Sequence, residues 1–172
     1  MEKIQASEKP LERLMLIVPG YRGYKLREQR READRIVRDY AYRALEHSRD
    51  DLMNCFQSLS DAKATELAEP MNRLIARLDT IAEKINRASY GYSGFFDSIK
   101  VEEPELENML AYDSQLMDMV RKINEATTTF KTDLTQGKLE NARTTQQTLD
   151  ASINSLDSAF EQRKAIIEGV KV

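Results

Sequence analysis

Between Ala64 and Ala88 apolar side chains recur in an unbroken alternation of three and four residues: Ala64, Leu67, Met71, Leu74, Leu78, Ile81, Ile85 and Ala88. Such a stripe runs along one face of an α-helix, and its 3.5-residue repeat demands other helices along its whole length. A chain carrying this segment is therefore committed to helix packing, and the rest of the sequence supplies the partners. Before it, Ala33, Val37, Tyr40, Ala44, Leu52 and Phe56 keep helical spacing. After it come Leu106, Met109, Leu116, Val120, Ile123, Phe130 and Leu134, then Leu139, Ala142, Leu149, Ile153, Leu156, Phe160 and Ile167. No stretch alternates with period two, so no strand competes.

Breaker residues divide these segments. Ser7 can cap a short helix with Pro10 in its first turn, and Pro19-Gly20 ends it. Ser60-Asp61 reads as a turn and cap, and Gln136-Gly137 as a second turn. Pro104 opens the third long segment, with Glu102, Glu103, Glu105 and Glu107 suited to a helix N-terminus. Pro70 either kinks the second long helix or begins its regular part. The expectation is an all-α single domain spanning 1–172, with a short helix near 8–18 and long helices near 26–59, 61–88, 104–134 and 138–168. The long helices, each of roughly 28 to 34 residues and ~40 to 50 Å, would form two helical hairpins packed as an up-down antiparallel bundle, coiled-coil-like along its seams.

The long apolar run that a membrane span requires, ~20 residues, is missing; the longest, Leu14–Val18, stops at Pro19. The start of the chain lacks the apolar core of a signal peptide. Only one cysteine, Cys55, is present, which rules out an internal disulfide framework. These features lead us to expect a soluble, cytoplasmic protein. With 26 basic and 29 acidic residues, the overall charge points to neither nucleic acid nor anionic lipid.

Two short stretches stand apart. "PGYRGY" (19–24) and "YGYSGFF" (90–96) together hold half of the aromatic residues and four of the six glycines. In an up-down bundle both lie at the same pole. Tyr21, Tyr24, Tyr90, Tyr92, Phe95 and Phe96 would there either cap the open end of the core or form a surface that receives a protein partner. The same pole collects Arg22, Lys25, Arg27, Arg30 and Arg31 at a helix start, an end that ordinarily attracts acidic residues. Arg27, Arg30 or Arg31 could pair with Glu103, Glu105 or Glu107. Alternatively the arginines, the glycine turns and the helix dipole make an anion site for phosphate on lipid or nucleic acid. Neither a Walker loop nor a GxGxxG fingerprint is present.

Catalytic and metal chemistry find little footing. His47 and Cys55 lie eight residues apart, about 12 Å along a shared helix. A single histidine cannot build a di-iron site with its two Glu-x-x-His motifs. His47 reads as a partly exposed polar residue and Cys55 as a small residue at the core edge. Gln146 and Arg163 interrupt the last apolar face, which suggests either that this helix meets another chain or that they cover the bundle edge. The sequence thus leads to a non-enzymatic interaction or scaffold module without cofactor or metal, associating with a protein partner or with itself. The alternative is a peripheral binder of anionic lipid or nucleic acid.

Overall fold

In the computed structural model, backbone is described for residues 9–23, 30–88 and 103–167, with side chains at 9–23, 31–88 and 107–164. These residues form five helices and no strand: α1 (Pro10–Ile17), α2 (Arg30–Asp61), α3 (Thr65–Arg87), α4 (Glu103–Thr135) and α5 (Leu139–Ile167). No helix among them is long and apolar enough to cross a membrane. Helix α2 packs on α3 and α4, α5 packs on α4 and α3, and α1 lies against α4. A single apolar cluster joins all five.

The two tight turns share one device. At the end of α2, Ala64 N–H reaches back to the Leu59 carbonyl (2.9 Å) and Lys63 N–H to Ser60 (3.0 Å). At the end of α4, Lys138 N–H bonds the Asp133 carbonyl (2.8 Å) and Gly137 N–H bonds Leu134 (3.0 Å). Both are Schellman caps, in which one residue adopts positive φ so that the last carbonyls find donors. Gly137 does this at φ 69°, and Lys63 at 54°. The first turn therefore falls later than Ser60-Asp61, and α2 continues through Asp61. Residues 62–64 are spent on the turn, so α3 has 23 residues, shorter than expected. Pro70 lies inside α3 rather than at its start. Pro10 and Pro19-Gly20 bracket α1 as the sequence suggested, with Gly20 at φ 82°, but Lys9 rather than Ser7 stands at its N-cap.

The buried positions sharpen the expected periodicity. On α2 the inward spine is Asp34, Arg38, Ala41, Leu45, Ser48, Leu52, Cys55 and Leu59. Tyr40, Ala44 and Phe56, which the sequence reading placed on the main face, flank it and are only partly buried. On α4 the spine includes Met109, Asp113, Leu116, Val120, Ile123, Thr127 and Phe130; on α5 it is Ala142, Gln146, Leu149, Ile153, Leu156, Phe160 and Arg163. Each steps by three and four, like α3, but with polar residues set into the apolar row.

Side-chain contacts give the sense of each pair. Tyr42 reaches Glu83 and Arg49 reaches Asp79, so α2 and α3 run antiparallel. Arg163 reaches Asp113 and Thr145 reaches Asp133, so α4 and α5 do too. Across the hairpins the neighbours run parallel: Ser48 meets Asn124 and Asp51 meets Lys131, while Arg77 meets Asp150 and Lys84 meets Asp157. The antiparallel sense thus applies within each hairpin. A parallel α2–α4 pair is what lets Asp34 and Asp113 approach the same arginine.

The two caps make a matched prediction. Lys63→Gly relieves a left-handed backbone and raises stability by about 0.5–1 kcal/mol, whereas Gly137→Ala lowers it by about 1 kcal/mol. Urea unfolding followed by circular dichroism measures both.

Candidate functional site

The end of the bundle where α2 begins is organised by charge inside the core. Arg163 on α5 has no exposed surface, and Asp34, Arg38 and Asp113 are nearly as buried. The Arg163 guanidinium donates from Nη2 to Asp34 Oδ1 (2.6 Å) and from Nε to Asp113 Oδ1 (2.6 Å). Arg38 donates from Nε to the other Asp34 oxygen (2.9 Å) and from Nη1 to the carbonyl of Asn86 in the last turn of α3 (3.1 Å). Two arginines and two aspartates thereby tie the leading ends of α2 and α4 to the trailing ends of α3 and α5. Desolvated charges persist only when paired and hydrogen-bonded in this way.

Above this network the chain from α1 turns into α2. Leu14 of α1 and Val18, which caps its C-terminus, are fully buried, and Arg13 grips Asp118 of α4 through both carboxylate oxygens (2.7 and 2.6 Å). Gly23 has φ 79°, a left-handed conformation that favours glycine, and a Cβ there would stand 2.8 Å from Leu11 Cδ1, so the leucine side chain of α1 would have to shift. A hollow of about 250 Å³ lies between this turn and α2, lined by Gly20, Arg22, Gly23, Glu32, Ala33 and Ile36. Its carboxylate, Glu32, is bonded by Arg35 (2.7 and 3.0 Å), which holds it below its ordinary pKa.

The residues singled out in the sequence are distributed as follows. Tyr21 is 2% exposed and belongs to the core, so it fills the bundle end rather than presenting a surface. Arg22 is exposed at the hollow, and Arg31 is exposed in the first turn of α2. Tyr24, Lys25, Arg27, Tyr90, Tyr92, Phe95 and Phe96, and the side chains of Arg30, Glu103 and Glu105, lie outside the described residues, as does any pairing among them. His47 is exposed, with its side chain 79% accessible and 3.8 Å from Asp51, while Cys55 is buried. The fold therefore separates them. Burial, followed by the nearby Asp51 carboxylate, raises the Cys55 pKa. No cluster of metal-ligating side chains occurs among the described residues.

Gln146 and Arg163 correct the reading of α5. Neither faces outward to another chain or along the bundle edge: both lie inside, with Gln146 donating to the carbonyl of Leu67 (2.9 Å). That acceptor sits three residues before Pro70, in a stretch where proline removes one N–H from the ladder. Sequence reasoning missed Asp34, Arg38 and Asp113 altogether. The available signal was positional, since each continues the three-four step of its helix, but a count of apolar residues passes over it.

No protein family, no curated protein and no solved structure matches the chain.

Removing the central guanidinium should expose the cost of this arrangement. Arg163→Met leaves Asp34 and Asp113 facing one another and costs about 3–5 kcal/mol. Combining Arg163→Met with Asp113→Leu removes both charges and recovers a large part of that loss, because Asp34 keeps Arg38. Urea titration of the two variants decides it.

Proposed function

We propose that this chain is a non-enzymatic interaction module: an up-down bundle of four long helices that receives a protein partner at the pole where α2 begins. The observation that carries the reading is the buried Asp34–Arg38–Asp113–Arg163 network, which ties all four helix ends together. Such a rigid end is a platform for the aromatic segments 19–24 and 90–96, which join it in the chain. Tyr21 serves as the root of that platform, with Tyr24, Tyr90, Tyr92, Phe95 and Phe96 as its anchors. A lone cysteine, buried at Cys55, suits a reducing compartment such as the cytoplasm.

One observation favours a second reading. Arg22 is exposed at the glycine-bearing hollow and has no partner among the described residues. With Lys25, Arg27, Arg30 and Arg31 it would take the phosphates of an anionic lipid surface or of a nucleic acid.

Two variants separate these readings, each checked for folding by circular dichroism. One replaces Tyr90, Tyr92, Phe95 and Phe96 with Ser; the other replaces Arg22, Arg27, Arg30 and Arg31 with Glu. A protein cross-linked to the wild type and lost from the aromatic variant supports the partner-binding pole. Equal capture by both overturns it. Salt-sensitive binding to phosphatidylserine vesicles or to single-stranded RNA, abolished in the glutamate variant, selects the second reading.

A further inference from the structure

The bonds that join the two hairpins are mostly surface ion pairs, beside two buried contacts, Arg163 with Asp34 and Gln146 with the Leu67 carbonyl. Hairpin α2–α3 meets hairpin α4–α5 along two edges. On the α3–α5 edge, Arg77 pairs with Asp150, Lys84 with both Asp157 and Glu161, and Arg143 with Glu66, all at least partly exposed. On the α2–α4 edge, Lys131 pairs with Asp51 (2.7 Å) and Ser48 with Asn124 (2.5 Å). The ion pairs among these are at least partly exposed, individually weak and screened by salt, whereas the neutral Ser48–Asn124 bond is not.

The buried network is divided by the same seam. Asp34–Arg38 belongs wholly to the first hairpin and Asp113–Arg163 wholly to the second; the Arg163–Asp34 bond crosses between them. Parting the hairpins therefore leaves each half with a neutral ion pair instead of a stranded charge, which removes the usual penalty for breaking a buried bridge. An open groove of about 550 Å³ lies between α3 and α5 and reaches the otherwise buried Leu74 and Gln146.

The geometry points to an ionic clasp: the two hairpins separate as intact halves along this seam, and ionic strength sets how often they do. The inference is independent of the pole and of what binds there. Opening presents the apolar rows of both hairpins, so the clasp controls access to the core.

Cys55 makes the test possible in the unmodified chain. It is the sole thiol, it is buried, and it follows Ser48 by seven residues on the face of α2 that meets α4. Asp150 and Asp157 lie on the other edge of the seam. A change there that uncovers Cys55 must therefore act by moving whole hairpins, since local fraying of α5 would leave the α2–α4 edge closed. The rate of Cys55 labelling by a water-soluble maleimide is measured at fixed pH and rising NaCl.

The expected result is a rise of about tenfold between low salt and ~1 M, where the Debye length falls to ~3 Å. Asp150→Asn with Asp157→Asn should raise the low-salt rate by a similar factor and flatten its salt dependence. Reversing one pair, Arg77→Glu with Asp150→Lys, should restore the wild-type rate. Asp79→Asn, which removes the Arg49 pair inside the first hairpin, should leave the rate unchanged. The clasp is overturned if labelling ignores both salt and the α5 substitutions. It is equally overturned if labelling shows the full denaturant slope of global unfolding, because then only complete unfolding exposes the thiol.

Discussion

A guanidinium without exposed surface is the constraint on which the helix arrangement rests. An unpaired Arg163 would be intolerable at a position with no exposed surface, so any packing that buries α5 must bring carboxylates to it. Two arrive from different helices, Asp34 from α2 and Asp113 from α4, each at 2.6 Å. Apolar layers are nearly interchangeable, because sliding one helix by a heptad still sets Leu or Ile against Leu or Ile. A polar layer is not. Matching Asp34, Asp113 and Arg163 in one plane fixes the relative heights of three helices, and Arg38 on the Asn86 carbonyl fixes the fourth. The layer contributes little net stability compared with an apolar one. What it supplies here is register.

A second polar contact does the same near the opposite end. Gln146 lies 17 residues before Arg163 on α5, about 25 Å along the axis. Its amide ends on the Leu67 carbonyl, close to the proline of α3. Two polar points that far apart define both the height and the tilt of α5 against its neighbours. Asn124, bonded to Ser48 between those ends, holds α2 to α4 in the parallel sense. The parallel neighbours follow from these requirements, since an antiparallel α2–α4 pair would carry Asp34 and Asp113 to opposite ends of the molecule.

How much of this was legible in the sequence depended on whether a residue's partner is local. Helix α3 was read almost residue by residue because its spine is apolar throughout and periodicity alone describes it. On α2 the spine passes through Asp34, Arg38 and Ser48. Asp34 and Arg38 pair locally, four residues apart, but Arg163, the Asn86 carbonyl and Asn124, which complete the burial of these three, come from other helices and leave no mark in the local pattern. The reading settled on the flank that carries Tyr40, Ala44 and Phe56, one residue to the side. The turn after Gln136 was visible because glycine marks its left-handed position, whereas the turn at Lys63 was displaced because a lysine occupies the same conformation. At the pole, the glycines at 20 and 23 signalled the reversal correctly. That Tyr21 faces inward could not be seen, since an aromatic beside a turn serves a core end and a surface equally well.

Of the four long helices, α3 is the one whose buried row holds no polar side chain, so beyond the Gln146 bond to the Leu67 carbonyl its register against α5 rests on the rim. The rim is suited to this. Arg77 and Lys84 are one heptad apart and face Asp150 and Asp157, also one heptad apart. Sliding α5 by seven residues one way would set Arg143 opposite Arg77, and sliding it the other way would set Lys164 opposite Lys84. Either slip exchanges an attractive pair for a repulsive one while keeping the apolar layers filled. Exposed pairs of this kind contribute at most about 1 kcal/mol each to stability, yet the difference between attraction and repulsion is felt at every wrong register. The chain thus combines two kinds of selectivity. Buried charge positions the helices that can supply it, and a patterned rim positions the one that cannot.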